Sequence, residues 1–101
     1  MHIGNLLADA MPPAEGERFE PLLTHRNLTV ERIVSSAAIT PTEYVQPQDE
    51  WVALLQGEAT LEVAGEPVEL RSGDYLFVPA NTPHTVRRVS EGAVWLAVHL
   101  Y

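Results

Sequence analysis

From residue 20 onward the sequence is cut into short runs of alternating or β-branched residues, each closed by turn chemistry. "RFEPLL" and "LTVERIVSSA" flank "THRN", which predicts a hairpin. Its first strand carries Pro21, which cannot donate to a sheet ladder, so that strand belongs at an edge. "EWVALLQ" stops at Gly57 and "ATLEV" at "AGEP", where Gly65 is free to take a positive φ. "VEL" follows, "RSGD" turns the chain into "YLFVP", "ANTP" makes another corner before "HTVRRV", and "SEG" leads into "AVWLAVHLY". About seven or eight short strands at this spacing predict an all-β sandwich or barrel. Helical spacing is confined to "NLLADAM" at residues 5–11, a turn that Pro12 and Pro13 would stop. The last strand runs to Tyr101, which ties that end into the sheet. Residues 1–18 therefore read as an N-terminal segment packing on or extending the barrel, and residues 19–101 as one barrel domain.

Composition narrows the partners. Fourteen Asp and Glu stand against six Arg and no Lys, for a net charge of −8. Such a surface repels nucleic-acid backbones and anionic lipid, because affinity for them depends on Lys and Arg displacing counterions. Arg87-Arg88 is too small a basic patch for a nucleic-acid footprint. Neither nucleic acid nor membrane is an expected partner. With no cysteine there is neither a disulfide framework nor a thiolate metal site, as fits a cytoplasmic protein. "MHIGNLLADAMPPAEGE" lacks the basic start and long apolar run of a signal peptide, so export is not expected.

Alternation assigns faces. Glu50 shares one with Val52 and Leu54, while Trp51, Ala53 and Leu55 take the other. His84 points with Val86 and Arg88; Trp95, Ala97, His99 and Tyr101 share a face of the last strand. Tyr44, Gln46, Gln48 and Glu50 project to one side if their segment is extended, although Pro47 can shift that register by one. A barrel receiving Glu50 and His84 from different strands would hold a carboxylate and an imidazole in an apolar pocket, the usual form of a small-molecule site.

Residues 73–84 read G-x5-P-x-N-x2-H, which resembles the second motif of the cupin superfamily, G-x5-P-x-G-x2-H-x3-N. Gly73, Pro79 and His84 match; Asn81 replaces the glycine at a turn position that Asn can also occupy, and Arg88 stands where the family often has Asn. Glu50 to Gly57 fits the E-x6-G that ends the first motif. The resemblance runs from about Tyr44 to the C-terminus and is closest to small single-domain cupins. It implies a jelly-roll β-barrel of two antiparallel sheets, often a homodimer; the outward face of Trp51, Ala53 and Leu55 would suit such a contact.

The departure bears on chemistry. Cupins usually carry H-x-H shortly before that Glu, and here the positions hold Tyr44 and Gln46, or Glu43 and Val45 in the other register. A metal site would be left with Gln46, Glu50 and His84, holding one divalent ion such as Zn, Fe, Mn or Ni. Without a metal, Glu50 beside His84 would form an ion pair or take up a proton, and either state allows general acid–base chemistry. The plainer readings are a structural strand histidine and a solvated glutamate. Tyr44, Arg88, Trp95 and His99 are the expected substrate-pocket residues, Arg88 gripping an anionic group. His2 and His25 carry no assigned role. The leading expectation is a metal-dependent enzyme acting on a small polar or carboxylated compound, with Glu50 and His84 catalytic. The alternatives are a metal-free cupin that binds a sugar or organic acid, and a structural dimer with no ligand.

Overall fold

A computed structural model describes all 101 residues. Nine strands follow in order: β1 (Glu17–His25), β2 (Leu28–Ser35), β3 (Glu43–Tyr44), β4 (Asp49–Gln56), β5 (Glu58–Val63), β6 (Glu66–Arg71), β7 (Tyr75–Val78), β8 (His84–Val89) and β9 (Ala93–Leu100). Every pairing is antiparallel. The strands form a five-stranded sheet, β1-β2-β9-β4-β7, and a four-stranded sheet, β3-β8-β5-β6. Sequence-adjacent strands such as β4 and β5 lie in different sheets, so the chain crosses repeatedly between two layers. The turn spacing implied an all-β sandwich or barrel, and this is the two-sheet jelly roll that the cupin resemblance implied. None of its elements is a helix long and apolar enough to cross a membrane.

The layers meet on the faces that alternation assigned inward. Ile33, Val52, Leu54, Trp95 and Ala97 from one sheet pack against Ala59, Leu61, Leu70 and Val89 from the other. Leu54, Val34 and Ala97 are wholly buried, and this apolar burial is the main source of stability. Pro21 sits on the edge strand, where the register with β2 slips between Pro21 and Leu23 and the missing N–H costs no ladder bond in the sheet interior. Gly57 has φ +103° at the β4–β5 junction, and a Cβ there would lie 2.6 Å from Ser90 Oγ. Only glycine fits both demands.

The N-terminal segment lies against the outer face of β2. Residues 6–9 form the expected turn, with the Leu7 N–H donating to Asn5 Oδ1. Arg32, 6% exposed, donates through Nη1 to the carbonyls of Leu6 (3.0 Å) and Ala8 (2.6 Å) and through Nη2 to Glu20 (2.8 Å). One guanidinium thus ties residues 6–8 to the β1–β2 hairpin.

Candidate functional site

At one end of the barrel the two sheets enclose a cavity of about 110 Å³ lined by fourteen residues. β1, β2, β4 and β9 contribute Glu17, Phe19, Glu31, Glu50, Trp95 and His99; β8, with β3, supplies His84 and Tyr44 from the facing sheet. The register explains the convergence. Glu50 is the direct cross-strand partner of His99, and Tyr44 that of His84, so each pair projects to one face. Two backbone contacts hold the neighbouring loops together. Asn81 N–H donates to the Gln46 carbonyl at 2.6 Å, and Ala80 N–H to Asp49 Oδ1 at 2.8 Å. Asn81 takes φ +62°, the left-handed turn that its motif position demands.

Glu50 is 8% exposed, and its Oε1 lies 3.7 Å from His84 Nε2. His84 Nδ1 lies 2.9 Å from the Thr82 carbonyl oxygen. A carbonyl only accepts, so Nδ1 carries the proton and, in the neutral ring, Nε2 presents its lone pair. That lone pair faces a carboxylate. Gln46 Oε1, buried in the same cavity, also has no hydrogen-bond partner. Acceptor groups thus converge with nothing positive between them, which two neighbours in this geometry do not tolerate unless a proton or a cation intervenes. Burial pushes the Glu50 carboxyl above its ordinary value; His99 and then His84 oppose this, and Glu31 and Glu17 add to it.

His99, 6% exposed, is held from both sides. Gln48 Nε2 donates to Nδ1 at 3.2 Å, which leaves Nε2–H to donate to Glu31 Oε1 at 3.0 Å; Glu50 Oε2 is 3.9 Å from the same Nε2. Glu31, His99, Glu50 and His84 therefore form an alternating line of carboxylates and imidazoles. Glu17 accepts from Ser35 Oγ at 2.7 Å, and Ser35 in turn accepts from Trp95 Nε1 at 3.0 Å, which fixes the indole against the cavity. Tyr44, 45% exposed, has its ring 6.0 Å from the His84 ring; with Phe19, 53% exposed, it borders the opening.

The structure brings together Tyr44, Gln46, Glu50, His84, Trp95 and His99. Arg88 is the exception and corrects the expectation that it lines the substrate pocket. β5 and β8 pair Leu61 with Val86 but Thr60 with Arg88, so Arg87 is an inserted bulge residue. The bulge reverses alternation beyond it: Val89 turns into the core and Arg88 outward, into a surface cleft with Glu58, Thr60 and Glu69. Sequence reasoning missed Glu31, Glu17 and Phe19. The signal was present in "VERIVS", where Glu31, Ile33 and Ser35 share a face, but Val30, Arg32 and Val34 make an equally apolar alternative.

No three His, Asp or Glu side chains are placed to hold one ion, and His99 Nε2 is committed to Glu31. Glu50, His84 and the unpartnered Gln46 oxygen remain, a carboxylate, an imidazole and an amide, donor types that suit a divalent ion. The bond from His84 Nδ1–H to a backbone carbonyl is the support that metal-bound imidazoles usually have.

Residues 30–99 match the cupin domain family. The chain belongs to the cupin family. A solved structure from Ralstonia eutropha JMP134, with a provisional mannose-6-phosphate isomerase designation, is 40% identical to this cupin over 99% of its length and 98% of the other chain, with a TM-score of 0.84. An RmlC-like cupin from Desulfovibrio desulfuricans shares the fold at 20% identity, covering 99% and 96% of the two chains with a TM-score of 0.83. An uncharacterized protein of Streptomyces coelicolor is 29% identical over 68% of this cupin; the match spans 66% of that relative's length.

Proposed function

We propose that this cupin is a metal-dependent enzyme whose barrel cavity acts on a small polar compound. The observation that carries the reading is the His84 Nε2 lone pair directed at the buried Glu50 carboxylate with an unpartnered Gln46 oxygen in the same cavity. Glu50, His84 and Gln46 would hold one divalent ion. Such an ion supplies Lewis-acid or redox chemistry. The remaining work falls to side chains. Thr82 fixes the tautomer of His84, and Glu31 with Gln48 fixes that of His99, so both rings are held in place at the cavity wall. Apolar walls from Val52, Leu61, Val78 and Val86 limit water and strengthen every charge inside. The designation of the Ralstonia protein concerns a sugar phosphate, of which the sugar part, and not the phosphate, suits this acid-lined cavity.

Elemental analysis of protein purified without a His-tag tests this, repeated for Glu50→Gln and His84→Ala. One metal per chain, lost in both variants, supports it. No metal retained after incubation with Mn, Fe, Ni and Zn sinks it.

A second reading has its own support: Tyr44 and Gln46 stand where the family's usual imidazoles would, and no three strong donors converge. In that case a proton takes the cation's place on the raised Glu50 carboxyl, and the pocket binds a small molecule without a metal. Ligand-dependent thermal stabilisation of metal-free protein distinguishes it.

A further inference from the structure

Acids dominate the charged lining of the cavity. Glu17, Glu31 and Glu50 line it, and no arginine does. The chain has no lysine. Its arginines are engaged elsewhere: Arg18 and Arg32 with Glu20, Arg87 with Glu62, and Arg88 in the outer cleft. Arg26 lies in the β1–β2 turn and Arg71 at the exposed end of β6. The two imidazoles in the cavity each face a carboxylate already.

We infer that the cavity selects a compound that carries no negative charge and donates hydrogen bonds, a polyol or an amino sugar, and rejects phosphorylated and carboxylated ones. The groups on offer are mostly acceptors: carboxylates of Glu17 and Glu31, and the bare Gln46 oxygen. Hydroxyl or ammonium donors satisfy them, whereas a phosphate would bring more acceptors and more negative charge into a low-dielectric space. An ion on Glu50, His84 and Gln46 would leave Glu17 and Glu31 still facing the ligand. Phe19, Tyr44 and Trp95 add aromatic rings to the lining, and such rings pack on the C–H face of a sugar and attract an ammonium. At about 110 Å³ the cavity takes only part of a hexose, and the rest would lie between Phe19 and Tyr44 at the opening. This inference rests on the cavity being a ligand site, and it reverses the expectation of a carboxylated substrate that Arg88 had motivated.

The test is binding to the wild type by ligand-observed NMR and thermal shift at pH 7.5, with metal content measured on the same samples. The probes are glucose, mannose, xylitol and inositol; glucosamine; and glucose 6-phosphate, mannose 6-phosphate and glucuronate. The expected result is binding of at least one neutral or amino probe, with its phosphate or carboxylate counterpart at least about tenfold weaker. In Glu17→Gln/Glu31→Gln, which keeps shape and hydrogen-bonding capacity, that discrimination falls by about tenfold or more. The glucosamine arm separates an ammonium preference from a hydroxyl one. Anions binding as tightly as their neutral counterparts, or no neutral or amino probe binding at all, overturns the inference. Anion binding abolished by chelation would overturn it while leaving the metal reading intact. Neutral binding by a protein that retains no metal would support it while ending the metal reading.

Discussion

Removing Glu50 and His84 singly and together measures directly whether a positive charge joins them. The two groups are 3.7 Å apart, with side chains only 10% and 12% exposed. At an effective dielectric constant of about 20, opposite charges at that separation attract by roughly 4 kcal/mol. Relaxation in each single variant reduces what a cycle reports, so a coupling of about 1–3 kcal/mol is expected for Glu50→Gln and His84→Ala. The packing lost with the imidazole ring occurs in both arms of the cycle and cancels. Urea unfolding with chelator present, at pH 7.5 and again at pH 4, is the assay. Burial raises the Glu50 pKa, so at the lower pH the carboxyl is neutral, its attraction to a positive charge is gone and the coupling should fall below about 0.5 kcal/mol. Additive effects at pH 7.5, or a coupling unchanged at pH 4, would refute the reasoning.

Three further outcomes are expected. Glu50 has a folded-state pKa raised above its ordinary 4.5, so its proton is held more tightly in the folded chain; the stability this gives is complete below pH 4.5 and is lost as pH rises through the raised value. Metal-free wild type should therefore lose stability across that window relative to Glu50→Gln in thermal melts; parallel curves would contradict it. Ser35→Ala leaves Trp95 Nε1–H and Glu17 without their shared partner in a fully buried position, and should cost about 1–3 kcal/mol and shift Trp95 emission. Gly57→Ala must hold φ near +103° and push Cβ to 2.9 Å from that of Ala93, so urea unfolding should show a loss of about 2–4 kcal/mol; a loss below about 1 kcal/mol would mean that the β4–β5 junction gives way easily.

Much of the fold was legible because strand alternation and turn residues are local signals. Pro21 marked an edge, Asn81 a left-handed corner, and Glu50, Val52 and Leu54 an inward face. Pairing is not local, and most of what the sequence hid follows from that. Glu31 enters the cavity because β2 lies between β1 and β9 in the sheet, an order no local pattern announces. Arg88 leaves it because one inserted residue, Arg87, reverses the alternation that had pointed His84, Val86 and Arg88 the same way. His84 itself lies before that bulge and keeps its direction. The hydrogen bonds that choose tautomers, Thr82 to His84 and Gln48 to His99, depend on loop geometry that residue types alone do not specify.

The most direct measurement is the ¹⁵N spectrum of the His84 ring, recorded at pH 7.5 as purified and again after chelation. A proton on Nδ1 is predicted in both, with Nε2 metal-shifted in the first and protonated, or bonded to a protonated Glu50, in the second. A neutral ring with its proton on Nε2, or a bare Nε2 beside an ionised Glu50 in metal-free protein, would contradict the account.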